Sequence, residues 1–472
     1  MNKNISRREF LKYLGGITAG AAASASLISC GKGSGSKAVQ EPPKGQMTYR
    51  TNPNTNDKVS LLGYGMMRLP VKGQKIGERQ IGDEDVDQDM VNKQVDYALE
   101  HGVNYFDTSP VYTKGMSERH TGIALKRHKR DSYFIATKMS NFDEYTFENS
   151  KMMFEDSLKE LQTDYIDYYL LHAIGGSDPE HDPIELFNAR FIDNGLLPWL
   201  LEQKKKGRIR NLGFSFHGAQ EVYDHALQMH DKGEIHWDFV QIELNYLDWK
   251  YASAIDKNNV NAEYLYQELE KRNIPVVIME PLLGGRLATL AQHVIKKLQE
   301  RDAESSPASW AFRYAGTPKG VLSVLSGMTY MEHLKENLLT YCPLKPLSDE
   351  EQRFLDTTIA DMIMEAGTIP CNDCKYCMPC PYGVDIPGVF VHYNKCITDG
   401  IMPVENDKEY AKHRRAFLYG YDRSVPKLRQ ADHCIGCAKC MPKCPQKIKI
   451  PVEMQKISEF VETLKRSPEG AR

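Results

Sequence analysis

Eight of the eleven cysteines lie in two short runs near the C-terminal end of this 472-residue chain. The first run, CNDCKYCMPCP, spans Cys371 to Pro381, and the second, CIGCAKCMPKCP, spans Cys434 to Pro445. Disulfide bonds, zinc and iron–sulfur clusters all use cysteine at this density. Disulfides between thiols so close in sequence would strain many pairings. Structural zinc sites usually divide their ligands into two separated pairs. The spacing therefore favours iron–sulfur ligation, with zinc as the alternative.

The second run has C-x2-C-x2-C-x3-C-P spacing and resembles the motif of bacterial two-cluster ferredoxins. The first run is one residue shorter before its last cysteine. In those ferredoxins the fourth cysteine of each run binds the other cluster. The resemblance implies one [4Fe–4S] cluster on Cys371, Cys374, Cys377 and Cys444. It implies a second cluster on Cys434, Cys437, Cys440 and Cys380. Cys342 and Cys396 fall outside the spacing, and we expect both to be buried free thiols.

Four further residues could form an acid–base set: Asp107, Tyr112, Lys138 and His172. A single tyrosine near a strand end is usually structural, and a lone lysine is usually solvated. However, Lys138 closes the apolar run YFIATK and His172 closes YIDYYLLH. A phenol has a pKa of ~10, which a neighbouring ammonium lowers. Asp107 would hold the lysine, and His172 would hydrogen-bond a substrate oxygen. Such a set suits proton transfer to a carbonyl oxygen while its carbon is reduced.

These residues come from a segment in which strand-like runs alternate with helical patterns, which predicts a parallel sheet with crossover helices. The candidate strands are Val59–Met66, Asn104–Asp107, Tyr133–Lys138, Tyr165–His172, Ile209–Ser215, Phe239–Asn245, Pro275–Glu280 and Val321–Ser326. About eight such units predict an α/β fold, a (β/α)8 TIM barrel whose site lies at the C-terminal ends of the strands. The first candidate strand has a second interpretation, as part of a hairpin that closes the barrel bottom.

The runs NYFDTSPVY, the strands ending in Lys138 and in LLH, RIRNLGFS, and Gln241-Ile242-Glu243 resemble the aldo-keto reductase family. The resemblance extends over roughly Lys58 to Leu339. It implies that Asp107, Tyr112, Lys138 and His172 form the catalytic tetrad. Tyr112 would be the general acid, or the base in oxidation, tuned by Lys138 and Asp107, while His172 would orient the substrate. The family usually reduces aldehydes and ketones with NADPH.

The same resemblance implies a nucleotide site for NADP(H) or NAD(H). Its expected contacts are Ser215, Gln241, Met279, Glu336 and Asn337. Ser215 and Gln241 match positions that hold the nicotinamide amide, and Met279 replaces a tyrosine that stacks on the ring. The chain departs from the family at Phe216, where asparagine is common. The basic residues that usually bind the 2′-phosphate are not evident.

The first thirty residues have the pattern of a signal peptide. Ser6-Arg7-Arg8-Glu9-Phe10-Leu11-Lys12 resembles a twin-arginine export motif, and Leu27-Ile28-Ser29-Cys30 resembles a lipobox that would lipidate Cys30. The alternatives are an ordinary basic region and a chance cysteine near a cleavage site. By the resemblance, this route exports folded proteins, so cofactors could be inserted first. We expect a periplasmic or extracytoplasmic protein that contacts the membrane only through a lipid anchor.

The domain prediction is therefore a signal peptide at 1–30, a flexible tether at 31–57, the barrel at 58–345 and a small, mainly helical two-cluster ferredoxin-type domain at 346–472. With 41% apolar residues, 26% charged residues and a net charge of −3, nothing indicates a nucleic-acid partner. The predicted function is an exported oxidoreductase that interconverts an alcohol and a carbonyl. Its clusters would exchange electrons with an unidentified partner. The alternative is an electron-transfer or interaction module whose barrel has lost nicotinamide-dependent catalysis.

Overall fold

Residues along the barrel strands alternate between two apolar environments, as the period of two in an extended chain requires. In the computed structural model, strand β6 (Ile166–Leu171) shows this directly. Tyr168 and Leu170 belong to the cluster inside the barrel, whereas Tyr169 and Leu171 belong to the larger cluster shared with the helices. The structure describes residues 40–76, 79–80, 84–176, 182–257 and 259–466.

Eight parallel strands close into a barrel in sequence order, with the last strand pairing with the first. The strands are β1 (Tyr49–Thr51), β2 (Lys58–Ser60), β3 (Leu62–Gly65), β4 (Tyr105–Asp107), β5 (Phe134–Met139), β6 (Ile166–Leu171), β7 (Ile209–Ser215), β8 (Phe239–Glu243), β9 (Val276–Met279) and β10 (Val321–Ser326). β3 to β10 form the barrel, and β1 and β2 form an antiparallel hairpin. The predicted (β/α)8 barrel is confirmed.

The hairpin settles the interpretation of the first candidate strand, because that segment divides into β2 and the first barrel strand β3. Asn52, beside the hairpin, donates to the hydroxyl of Tyr168 at 3.2 Å and to Oδ1 of Asn211 at 3.3 Å. Val59 of β2 joins the cluster inside the barrel. The hairpin therefore packs against the interior, at the end opposite the C-terminal ends of the strands.

Helices surround the barrel and continue into the C-terminal region. They are α1 (Gln88–Glu100), α2 (Ser117–Leu125), α3 (Phe147–Leu161), α4 (Pro183–Phe191), α5 (Leu196–Lys205), α6 (Gln220–Asp231), α7 (Asp248–Ile255), α8 (Ala262–Lys271), α9 (Gln292–Gln299), α10 (Pro307–Gly316), α11 (Met331–Tyr341), α12 (Asp349–Arg353), α13 (Ala360–Glu365), α14 (Ile386–Thr398), α15 (Tyr410–Ser424) and α16 (Ile450–Arg466). A π-helical stretch, Phe354–Ile359, joins α12 to α13.

The region after the barrel is mainly helical, as predicted, and has an apolar core of its own. Helices α14, α15 and α16 surround that core, with Val389, Phe417 and Met454 among its fully buried members. Cys342 and Cys396 are buried free thiols, as expected. None of the helices in the described ranges is long and apolar enough to cross a membrane.

Candidate active site

The tetrad residues meet at the C-terminal ends of neighbouring strands. Asp107 ends β4, Lys138 lies near the end of β5, and His172 directly follows β6. Tyr112 begins a short 3-10 turn after β4, followed by left-handed backbone at Thr113 and Lys114. The strand register places these ends side by side, since Asp107 pairs with Ala136.

Asp107 and Lys138 form a buried ion pair. Nζ of Lys138 lies 2.6 Å from Oδ1 of Asp107 and donates to the carbonyl oxygen of Thr108 at 2.7 Å. Nε2 of Gln241 donates to the other carboxylate oxygen at 3.4 Å. Burial raises the pKa of Asp107 and lowers that of Lys138, and the attraction between the two opposes both shifts. The contact holds a cation at a fixed point beneath Tyr112.

Tyr112 lies beside that cation, because Nζ of Lys138 is 4.8 Å from the centroid of its ring. Its ring packs edge-on against His172 with 6.0 Å between centroids. Burial raises the pKa of Tyr112 well above its ordinary value of 10, and the nearby Tyr376, Asp107 and Glu280 add to this. In this state the phenol keeps its proton, as a general acid requires.

His172 is held by hydroxyl groups. Its Nδ1 lies 2.6 Å from Oγ of Ser140, which in turn lies 2.9 Å from Oγ of Ser109. Burial lowers the pKa of His172 well below 6.5, and the charges of Lys138 and Arg190 act in the same direction. The imidazole is therefore neutral at physiological pH, with Nδ1 committed to Ser140.

A cavity of about 1170 Å³ extends from the tetrad along the barrel mouth. All five expected nucleotide contacts line it: Ser215, Gln241, Met279, Glu336 and Asn337. Oε1 of Gln241 is buried and has no hydrogen-bond partner among the described residues, so it can accept a hydrogen bond from a nicotinamide amide. Oγ of Ser215 already accepts from the backbone N–H of Ala173 at 2.9 Å.

Elsewhere on the cavity wall, Glu336 accepts a hydrogen bond from Ser306, and Asn337 donates to Oγ of Ser326 at 2.9 Å. Phe216, where the family commonly has asparagine, is buried and packs on Tyr223 with 4.9 Å between centroids. The residues present therefore fit a nicotinamide amide through Ser215 and Gln241, without a contribution from position 216.

The two cysteine runs lie at the same face of the barrel, and residues of both line the main cavity. Cys371, Cys374, Cys377 and Cys444 line a second cavity of about 20 Å³. The thiols of the first three also interact with that of Cys444. Cys440 interacts with Cys434, Cys380 and Cys437, and it also interacts with Cys377 of the first group. The structure thus brings the cysteines of both runs close together, and the division into two clusters stays what the ferredoxin resemblance implies.

All ten cysteines that the structure describes are free thiols. Within the same described ranges, no three His, Cys, Asp or Glu side chains are placed to hold one metal ion. Cys30, the expected lipidation site, lies outside the described residues.

Two residues near the tetrad, Ser140 and Tyr376, were not predicted. Ser140 follows Lys138 by two residues, a spacing that puts both side chains on one face of an extended strand, so the sequence carried a signal for it. Tyr376, between two cysteines of the first run, lines the main cavity with Tyr112. No local pattern predicts this position of Tyr376, because it depends on the packing of segments that are far apart in sequence.

The family model for the aldo/keto reductase family matches residues 62–359. The chain is 26% identical to the L-galactose dehydrogenase of Arabidopsis thaliana, over 63% of this chain and 89% of that protein. It is 29% identical to the methylglyoxal reductase DkgA of Yersinia pestis, over 47% of this chain and 68% of that protein. The solved aldo-keto reductase AKR11C1 from Bacillus halodurans is 24% identical, with a TM-score of 0.49, over 66% of this chain and 95% of that one. The chain belongs to the aldo/keto reductase family of oxidoreductases.

Proposed function

We propose that the protein is an exported oxidoreductase that interconverts an alcohol and a carbonyl at the tetrad and carries two [4Fe–4S] clusters for electron transfer. One observation carries the cluster proposal. Cys371, Cys374 and Cys377 share a cavity with Cys444, which comes from the other run. Four thiols converging from two distant segments form the donor set that such clusters take.

The second group supports the same proposal. Cys440 interacts with Cys434 and Cys437 of its own run and with Cys380 of the other run. In the proposed arrangement each run gives three cysteines to one cluster and its fourth to the other, as in the ferredoxins that the runs resemble. Thiols crowded together in this way repel one another as thiolates, and iron would offset that repulsion.

In the barrel, a bound nicotinamide would supply or accept a hydride, and each cluster would carry one electron at a time. Tyr112 gives its proton to the carbonyl oxygen as the carbon is reduced, and Lys138 offsets the negative charge left on the phenol oxygen. If Ser140 donates to Nδ1 of His172, the other ring nitrogen carries the hydrogen and can donate it to the substrate oxygen. These groups act together to orient the carbonyl and protonate it.

The names of the relatives suggest a substrate class. One is called L-galactose dehydrogenase and another methylglyoxal reductase. For this chain we propose a small polar aldehyde, ketone or alcohol.

Export and lipid anchoring at Cys30 belong to the proposal. Folded export would allow both the clusters and a tightly held nucleotide to be loaded before the membrane is crossed. The electron partner would then reach the C-terminal domain from outside the cytoplasm.

The catalytic proposal is tested on protein purified without oxygen. We expect denaturation to release NADP(H) or NAD(H), or the purified protein to bind the nucleotide when it is added. Tyr112→Phe should lower the rate of 4-nitrobenzaldehyde reduction at least roughly 100-fold. Tyr419→Phe, at a residue that is 73% exposed, is the matched control. Absence of nucleotide, no binding on addition and unchanged activity in Tyr112→Phe would instead support a module that only transfers electrons.

A further inference from the structure

A buried cation on helix α4, Arg190, lies against the backbone of the tetrad histidine. Its Nη2 donates to the carbonyl oxygen of His172 at 2.9 Å, and its Nη1 donates to that of Ala173 at 3.3 Å. Arg190 is 2% exposed and contributes to the wall of the main cavity together with His172. The helix that follows β6 therefore packs back onto the end of that strand.

The backbone that Arg190 contacts has an uncommon shape. Ala173 has a positive φ of 49°, in the left-handed region that residues with a Cβ atom rarely adopt. The N–H of Ala173 donates to Oγ of Ser215 at 2.9 Å, so this residue is held from β7 as well as from α4. Such a conformation persists where the surrounding contacts fix it. The turn that directly follows His172 is therefore stabilised from two sides.

The guanidinium of Arg190 is itself fixed in place. Its Cζ lies 4.5 Å from the ring centroid of Phe191 and 4.8 Å from that of Phe142. The Phe142 ring in turn lies 5.0 Å from the imidazole of His172, between centroids. Oδ1 of Asn141 accepts from Nη2 of Arg190 at 3.3 Å, and Nδ2 of Asn141 donates to the backbone carbonyl oxygen of Arg190 at 3.0 Å. A planar guanidinium, with its fork of donors, can make these contacts together, and a lysine ammonium cannot.

Stability alone does not account for a charge at this position. Among the described residues, the acceptors of the Arg190 guanidinium are neutral: two backbone carbonyl oxygens and the amide oxygen of Asn141. Burial lowers the pKa of Arg190 to about 9, so the side chain remains a cation at neutral pH. A buried cation held only by neutral oxygens costs free energy that an apolar side chain would not. What an apolar side chain could not supply is the pair of hydrogen bonds to the backbone at His172 and Ala173.

We propose that Arg190 is a positioning residue of the active site, through which helix α4 holds His172 where its imidazole meets the substrate oxygen. The guanidinium bridges two successive carbonyl oxygens and so fixes the direction in which the strand end presents the imidazole. Ser140 holds the ring, and Arg190 holds the backbone that carries it. The inference rests on the proposed role of the tetrad and does not depend on what the cysteines bind.

Kinetics with NADPH and 4-nitrobenzaldehyde test the role. Arg190→Met keeps the aliphatic stem that packs on the neighbouring rings but removes the donors. We expect it to lower kcat roughly tenfold with a smaller effect on KM, because His172 acts in the transition state. Arg190→Lys keeps the charge and one donor group, and it should recover part of the loss. Arg208→Met is the matched control, since Arg208 also lies over a phenylalanine ring but precedes β7, at the opposite end of the barrel.

The position of His172 is read by nuclear magnetic resonance of protein labelled with ¹³C at the ε1 carbon of histidine. His172→Asn identifies the signal. We expect Arg190→Met, and also the charge-retaining Arg190→Lys, to shift this signal and Arg208→Met to leave it unchanged. The measurement needs no turnover, so it stands even if the wild-type protein reduces no carbonyl, a result that would count against the proposed function alone.

Asn141→Ala tests the same contact if Arg190→Met does not fold. It removes one partner of the guanidinium and leaves Arg190 in place, so we expect a smaller shift of the His172 signal and a roughly threefold lower kcat. An unshifted His172 signal in the folded variants would overturn the proposal, and so would a shifted signal with wild-type kcat. In either case Arg190 would serve packing alone.

Discussion

Oγ of Ser140 lies 2.6 Å from Nδ1 of His172, and this contact leaves Nε2 as the ring nitrogen available to the substrate. We expect Ser140→Ala to lower kcat/KM roughly tenfold, because one buried hydrogen bond contributes about 0.5–1.5 kcal/mol and His172 would lose its fixed orientation. Steady-state kinetics measure this, with the exposed Ser132→Ala as control. Equal kcat/KM in the two variants would show that other contacts hold the ring.

Lys138→Met should affect both activity and stability. The change leaves the Asp107 carboxylate buried without its cation, which costs about 3–5 kcal/mol of unfolding free energy. Activity should fall at least roughly 100-fold. Adding Asp107→Asn should recover much of the stability but none of the activity. Urea unfolding measures the changes in stability. A double variant that is no more stable than Lys138→Met would refute the assignment of the buried pair.

Because of the buried Glu118, we expect the free energy of unfolding to depend on pH. It is 3% exposed, accepts a hydrogen bond from Thr137, and burial raises its pKa from 4.5 to about 7. The folded protein therefore retains a proton that the unfolded chain releases, so the free energy of unfolding falls as pH rises from about 4.5 to about 7. The loss attributable to Glu118 is about 3 kcal/mol.

Urea unfolding at pH 5 and pH 8 tests this relation. We expect Glu118→Gln to remove most of the decrease and the exposed Glu234→Gln to leave it in place. A decrease of the same size in Glu118→Gln would mean that another group carries it.

Arg79→Ala should loosen the first cysteine run from the barrel. It removes the partner of Asp373 and Asp385, and we expect a loss of about 1–3 kcal/mol, below the value for a fully buried pair because Arg79 is 20% exposed. Hydrogen exchange around residues 371–385 should become faster. Arg127→Ala, which breaks an exposed pair with Asp96, is the control and should not alter exchange in this segment.

Much of the barrel follows from local pattern. Alternating apolar residues predict strands such as β6, and the polar residues that end β4 and β5 predict Asp107 and Lys138 at the barrel mouth. Helix α4, in the segment after His172, also has a local signal in the sequence. Asp182 followed by Pro183 is a helix-start signal, and the structure shows Asp182 accepting from the N–H of Ile184 and Glu185.

Other features could not be predicted, because they depend on contacts between distant segments. Tyr376 has no periodic or motif signal, and the docking of the cysteine run on the barrel, through Arg68 among other residues, brings it to the cavity that Tyr112 also lines. The hydroxyl pair of Ser109 and Ser140 likewise depends on the pairing of β4 with β5.

The proposed electron transfer depends most on what the eight clustered cysteines bind. The direct measurement is the content of iron, acid-labile sulfide and zinc in protein purified without oxygen. We expect about eight irons and eight sulfides per chain, with a visible charge-transfer band. Stoichiometric zinc without sulfide, or eight free thiols and no iron, would contradict it.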